Sequence, residues 1–162
     1  DAIDNIIPYI PSEEEKVARE AKKLLGTLGA AGITDATVEI SATCTRAGVT
    51  EGHTEVVSVE LERAASPDEA AGILRKAGRE AAGLDLPSMP ETLIEVLDDP
   101  FRPQPRLDRD RGRGMTTTVG RIRPEPLYDN GLKYMLVTHN TKMGAACGAV
   151  LVAEYLASKG LV

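Results

Sequence analysis

At 162 residues, 42% hydrophobic and 27% charged, the chain has the length of one domain and the composition of a globular protein. Nineteen basic residues against 25 acidic ones leave a net charge of −6, and one Phe, four Tyr and no Trp offer few stacking surfaces, which disfavours nucleic acid as a partner. No apolar run reaches the roughly 18 residues of a membrane span, and the opening DAIDNIIPYIP lacks the basic flank and long apolar core of a secretory leader.

IIPYIP (6–11), apolar and broken by proline, predicts a buried lead-in loop. Ser12 before Glu13, Glu14 and Glu15 predicts a capping box, with Glu15 at the third helical position and three carboxylates at the positive end of the helix dipole. That helix is expected over 13–25, stopping at Gly26. Its apolar stripe is Val17, Ala18, Ala21, Leu24 and Leu25, while Lys16, Glu20 and Lys23 share the opposite face. The alternation in ATVEISATCTR (36–46) and GHTEVVSVELE (52–62) predicts two strands joined by the turn-rich RAGVTEG. Ser66, Pro67 and Glu69 open a second capped helix, which runs through Ile73, Leu74 and Ala77 to about Gly83.

LPSMPE reads as a loop and TLIEVLD (92–98) as a strand. The segment 99–115, DPFRPQPRLDRDRGRGM, is a long polar excursion in which arginines alternate with Asp108 and Asp110, the pattern of a self-paired loop. Strands at 116–123 and 132–139 flank a turn at Asp129-Asn130-Gly131, and a last helix spans about 143–159 before Gly160. Helices and strands do not alternate regularly. The expected fold is α+β, a mixed, largely antiparallel sheet with flanking helices.

The chemistry-bearing residues are few. His53, at a loop-to-strand junction, reads either as a general acid–base group or as a surface turn histidine, the commoner case for the residue type. His139 reads as structural. Arg46, among Ser41, Ala42 and Thr43, can grip a carboxylate through paired hydrogen bonds or sit in a surface ion pair. Glu20 can hold an ammonium group, with Lys23 placed for an anion, or both can belong to a solvated face. Cys44 reads as a small buried strand residue rather than a nucleophile, and two cysteines, Cys44 and Cys147, fit a reducing cytoplasm. No GxGxxG or GxxxxGK[ST] pattern occurs, and no metal-ligand spacing is present.

Taken together, NIIPYIPSEEEKVAREAKKLLG (5–26), ISATCTRAGVTEGHTE (40–55), RPQPRLDRD (102–110), VGRIR (119–123) and HNTKMGAACGAVLVAE (139–154) resemble the carboxy-terminal half of aspartate-semialdehyde dehydrogenase, in its archaeal and fungal branch. The resemblance implies a fold like the carboxy-terminal domain of glyceraldehyde-3-phosphate dehydrogenase. Residues 1–142 would form a substrate-binding and dimerisation domain, and 143–162 a helix packing on an NADP-binding Rossmann domain that these residues do not contain. The implied reaction is reductive dephosphorylation of aspartyl-4-phosphate to aspartate semialdehyde through a cysteine thioester, on the route to lysine, methionine and threonine.

The resemblance makes His53 the acid–base histidine, Arg46 the clamp on the substrate α-carboxylate, Glu20 the partner of its amino group, Lys23 a phosphate contact and Asn140 a contact to the nicotinamide. The family's Ser-Asn-Cys nucleophile motif does not occur, so the 162 residues alone are expected to be inactive. The implied protein partners are a second copy of the chain or a separate cofactor-domain chain, without nucleic acid or membrane. CTRAGV departs from the commoner Cys-Asn-Arg-Val-Pro-Val beside Arg46. A malonyl- or succinyl-CoA reductase and a non-catalytic oligomerisation domain are the competing readings; Glu20 speaks for an amino-bearing substrate.

Overall fold

The computed structural model describes residues 4–162, which divide into two units, one up to Gly48 and one from Val49 onward.

In the first unit, β1 (Ile6–Ile7) pairs antiparallel with β4 (Arg46–Ala47), α1 spans Glu13–Leu24, and β2 (Thr27–Gly29) and β3 (Gly32–Thr34) form a small hairpin. Helix α1 begins where expected but without its cap. Ser12 has φ 66 and ψ 1, and its side chain caps nothing. Glu13 N–H donates to Ile10 C=O at 3.2 Å, so Pro11 and Ser12 are the central residues of a tight turn. Proline first and a left-handed residue second is the chemistry of a type II turn, and that turn, not the capping box, uses Ser12.

Three further expectations fail in this unit. Residues 36–45 form no strand, so the predicted strand 36–46 survives only as Arg46–Ala47. Alternation selects an extended backbone, whereas a ladder also needs a free neighbouring edge. Cys44 therefore lies outside any strand, its N–H donating to Glu14 Oε1 at 2.9 Å. IIPYIP is not a buried lead-in: Ile6 and Tyr9 are exposed, and so are Leu24 and Leu25 of the α1 stripe.

The second unit is built on a four-stranded sheet of order β5-β8-β7-β6, with β5 His53–Glu60, β6 Ile94–Leu97, β7 Thr117–Pro124 and β8 Gly131–Thr138. The β5–β8 and β8–β7 pairs are antiparallel and β7–β6 is parallel, so the sheet is mixed and largely antiparallel as expected. Helix α2 (Pro67–Ala82) packs on β6 and β7. Its capping box is complete: Glu69 N–H donates to Ser66 Oγ at 3.2 Å and Ser66 N–H to Glu69 Oε2 at 2.7 Å. Gly78 lets α2 approach β6 closely, since a Cβ there would collide with the Ile94 carbonyl oxygen.

The last helix opens with a π-helical turn (Lys142–Ala146), in which Gly144 N–H reaches His139 C=O and Ala146 N–H reaches Thr141 C=O, before α4 (Cys147–Ser158) continues as an ordinary helix. Leu151 of α4 packs with Leu86 and Met115, and Met143 closes over them. Ser88 N–H and Oγ both donate to Glu154 of α4, at 2.9 and 2.8 Å.

The predicted excursion 99–115 is ordered by its own charges. It contains α3 (Pro105–Asp108) and a 3-10 turn (Arg111–Gly114). Asp108 is fully buried. It accepts from Arg102, from Gln104 N–H at 2.7 Å and from Arg111 Nε at 2.9 Å, while Arg111 also reaches Glu95. Burial pushes the Asp108 carboxyl up, but the hydrogen bonds from Arg102, Gln104 and Arg111 outweigh it and hold the group below the usual aspartate range. This is the self-paired loop that the alternating signs imply.

Candidate active site

His53 is the first residue of β5, opposite Thr138 of β8, and Asn140 lies two residues beyond Thr138. The antiparallel register therefore brings the histidine and the asparagine to one end of the sheet. The junction is fixed through the residue between loop and strand. Gly52 has φ +106, which only glycine adopts freely, and a Cβ there would meet Arg109 Cβ at 3.2 Å and Pro105 Cβ at 3.3 Å. Its N–H donates to Asn140 Oδ1 at 2.8 Å, which leaves the Asn140 amide nitrogen without a partner among the described residues. One residue earlier, Arg109 Nη1 donates to the Glu51 carbonyl at 3.2 Å. The Glu51 side chain turns inward, and its Oε2 is shielded from solvent with no hydrogen-bond partner. The His53 imidazole is exposed and takes no hydrogen bond or ion pair among the described residues.

A second cluster supports this end of the sheet. His139 is buried, and its Nδ1 accepts from Lys142 N–H at 3.3 Å, the structural role that the sequence assigns it. Asp110 Oδ1 accepts from Lys142 Nζ at 3.1 Å and lies 3.9 Å from His139 Nε2. The Lys142 ammonium, opposed by partial burial and aided by His139 and Arg109, holds the Asp110 carboxyl below its ordinary range. A surface cavity of about 350 Å³ beside Pro67, Asp98, Arg121 and Arg123 includes no predicted site residue.

Glu20, Lys23 and Arg46 belong to the first unit. All three are exposed: Glu20 and Lys23 on α1, Arg46 on β4 opposite Ile7. None has a side-chain ion pair or hydrogen bond among the described residues. Lys16, which shares the face of Glu20 and Lys23, pairs with Glu13 rather than with Glu20. The structure joins His53 to Asn140 and places the other three in a separate unit. Sequence reasoning missed Arg109, whose position inside a run of alternating charges reads as self-pairing, and Glu51, whose one signal was its place beside a turn glycine.

The α+β unit on a mixed sheet is the architecture of the aspartate semialdehyde dehydrogenase structures that it superposes on. The family model "Semialdehyde dehydrogenase, dimerisation domain" matches residues 1–143, and the chain belongs to that family. Within it, the chain is similar to the aspartate-semialdehyde dehydrogenases of Archaeoglobus fulgidus, 46% identical over 98% of this chain and 45% of that protein, and of Aspergillus fumigatus, 42% identical over 100% of this chain and 46% of that protein. The crystal structure of the Candida albicans enzyme with NADP superposes with a TM-score of 0.88, at 41% identity, covering 100% of this chain and 47% of that one. The chain spans about half the length of the curated relatives it matches and corresponds to their carboxy-terminal part.

Proposed function

We propose that the chain is the substrate-binding and dimerisation part of an NADP-dependent aspartate-semialdehyde dehydrogenase, with residues 1–142 forming that part and 143–162 a helix that docks on the cofactor domain. The observation that carries the reading is the Gly52–Asn140 hydrogen bond, which ties the loop bearing His53 to an asparagine whose amide nitrogen has no partner among the described residues. That nitrogen fits the carbonyl of a carboxamide, so Asn140 would meet the nicotinamide end of NADP. These residues hold no glycine-rich loop for the cofactor's phosphates, and that task falls outside them. Bound as NADPH, the cofactor supplies the hydride.

His53 takes the proton of the attacking thiol, which comes from outside these residues, and later returns a proton to the oxygen of the reduced acyl group. Exposure at the sheet end gives its ring access to both. Arg46 holds the substrate α-carboxylate by paired hydrogen bonds, Glu20 the α-ammonium and Lys23 the phosphate. Their lack of protein partners supports ligand duty, and Glu20 favours the amino-bearing aspartyl group over a dicarboxylic acyl-CoA. The protein works in the cytoplasm as a homo-oligomer, or with a separate cofactor-domain chain.

The test is His53→Ala in the full-length protein, following NADPH appearance from aspartate semialdehyde and phosphate. We expect kcat to fall by about 100-fold or more with little change in KM. Wild-type turnover in the variant overturns the reading.

A further inference from the structure

We propose that Arg109 is a positioning residue for His53, an inference that rests on the acid–base role just assigned to that histidine. The imidazole has no side-chain partner of its own among the described residues, so its place is set by the backbone that enters β5. One peptide group there, Glu51–Gly52, is gripped at both its polar ends from outside the strand. Asn140 accepts the Gly52 N–H at 2.8 Å, and Arg109 Nη1 donates to the Glu51 carbonyl at 3.2 Å. The φ of +106 at Gly52 is a conformation that an exposed loop leaves readily when nothing holds it.

Arg109 is suited to the task because its own frame is fixed. Its N–H donates to Pro105 C=O at 3.1 Å, and its Cβ lies against Gly52, 3.2 Å from where a Cβ would stand. Its Nε sits 3.7 Å from Asp110, and Asp110 holds Lys142 at the start of the π-helical turn. One guanidinium therefore links the excursion 105–111, the segment after β8 and the loop that delivers the histidine. Among the described residues Arg109 forms its ion pair with Asp110 and none with the Glu51 carboxylate; its contact to Glu51 is to the main chain and acts on backbone position.

The experiment uses the full-length protein with Arg109→Ala, Arg109→Gln and Arg109→Lys. His53 and His139 are the two histidines of these 162 residues, and loss of a ring signal in His53→Ala identifies the His53 signal in the full-length protein. In Arg109→Ala we expect a broadened or doubled His53 signal, and Gly52 amide exchange at least about tenfold faster. We expect kcat to fall by up to about 100-fold, as for a slightly misplaced catalytic group, at unchanged KM. Arg109→Lys, which keeps a cationic donor, restores much of the loss. If Arg109→Ala does not fold, Arg109→Gln carries the same readouts. A folded variant with wild-type His53 signal and Gly52 exchange overturns the proposal. If His53→Ala leaves turnover intact, the functional reading falls, while the ring and amide signals still decide whether Arg109 positions the loop.

Discussion

The two units are held by different physics. Up to Gly48 no described residue is buried, and Leu24 and Leu28 are exposed to 82% and 80%. Beyond it, Val137, Thr118 and Asp108 are fully buried and the sheet carries helices packed against it. The first unit relies on local devices: three glutamates in the first turn of α1, Lys22 and Lys23 in its last, and short hairpins. Such devices contribute a few tenths of a kcal/mol each, whereas burial in the second unit contributes about 1.5 to 3 kcal/mol per large side chain. The lesson concerns where chemistry can be changed without unfolding. The residues proposed to meet substrate sit where substitution costs little stability, and the proton-handling residue sits on the rigid sheet.

That contrast can be broken at several points. The largest effect belongs to Asp108→Ala, which leaves Arg102 and Arg111 without their shared carboxylate; we expect about 4 kcal/mol of lost stability in urea unfolding. Because the folded protein holds Asp108 below its unfolded value, its contribution is complete above the ordinary aspartate range and is lost as pH falls through the folded value. Melting temperature should therefore decline below about pH 4, and Asp108→Asn should flatten that decline.

Arg46→Ala tests the opposite unit: KM for aspartate semialdehyde should rise by roughly 30-fold in the full-length enzyme, the loss expected for a charged hydrogen-bonding pair, while the melting curve stays put. Val137→Ala, at 0% exposure, should cost about 2 kcal/mol, against a few tenths for Leu24→Ala. The smallest comparison is the sharpest. Ser66→Ala should cost about 1 kcal/mol and Ser12→Ala close to nothing, both read from thermal unfolding.

The two serines also show what a sequence carries. Both head an S-x-x-E pattern, and one caps while the other does not. Ser66 precedes its proline, which leaves it extended and free to cap; Ser12 follows one, and the turn claims it. The sheet of the second unit was legible because β5, β7 and β8 each have a partner and an inward face that fixes their alternation. The segment 36–46 has the same alternation but finds a partner strand only at Arg46, so its pattern promised more than it forms. The hairpin at β2 and β3 was illegible because its turn residues, Ala30 and Ala31, carry none of the usual turn chemistry. In the site, only the family resemblance pointed to His53 and Asn140, and the hydrogen bond that ties Gly52 to Asn140 required the register of β5 against β8.

The π-helical turn at Lys142–Ala146 fixes the angular phase of everything after it. A wide turn of this kind holds one residue more than an ordinary one. Removing a single residue there would turn the following helix by about 100° relative to the sheet. Leu151 would swing away from Leu86 and Met115, and Glu154 would leave Ser88. The tail of the molecule is thus tolerant of substitution along its outer face and intolerant of any change in length just before Cys147.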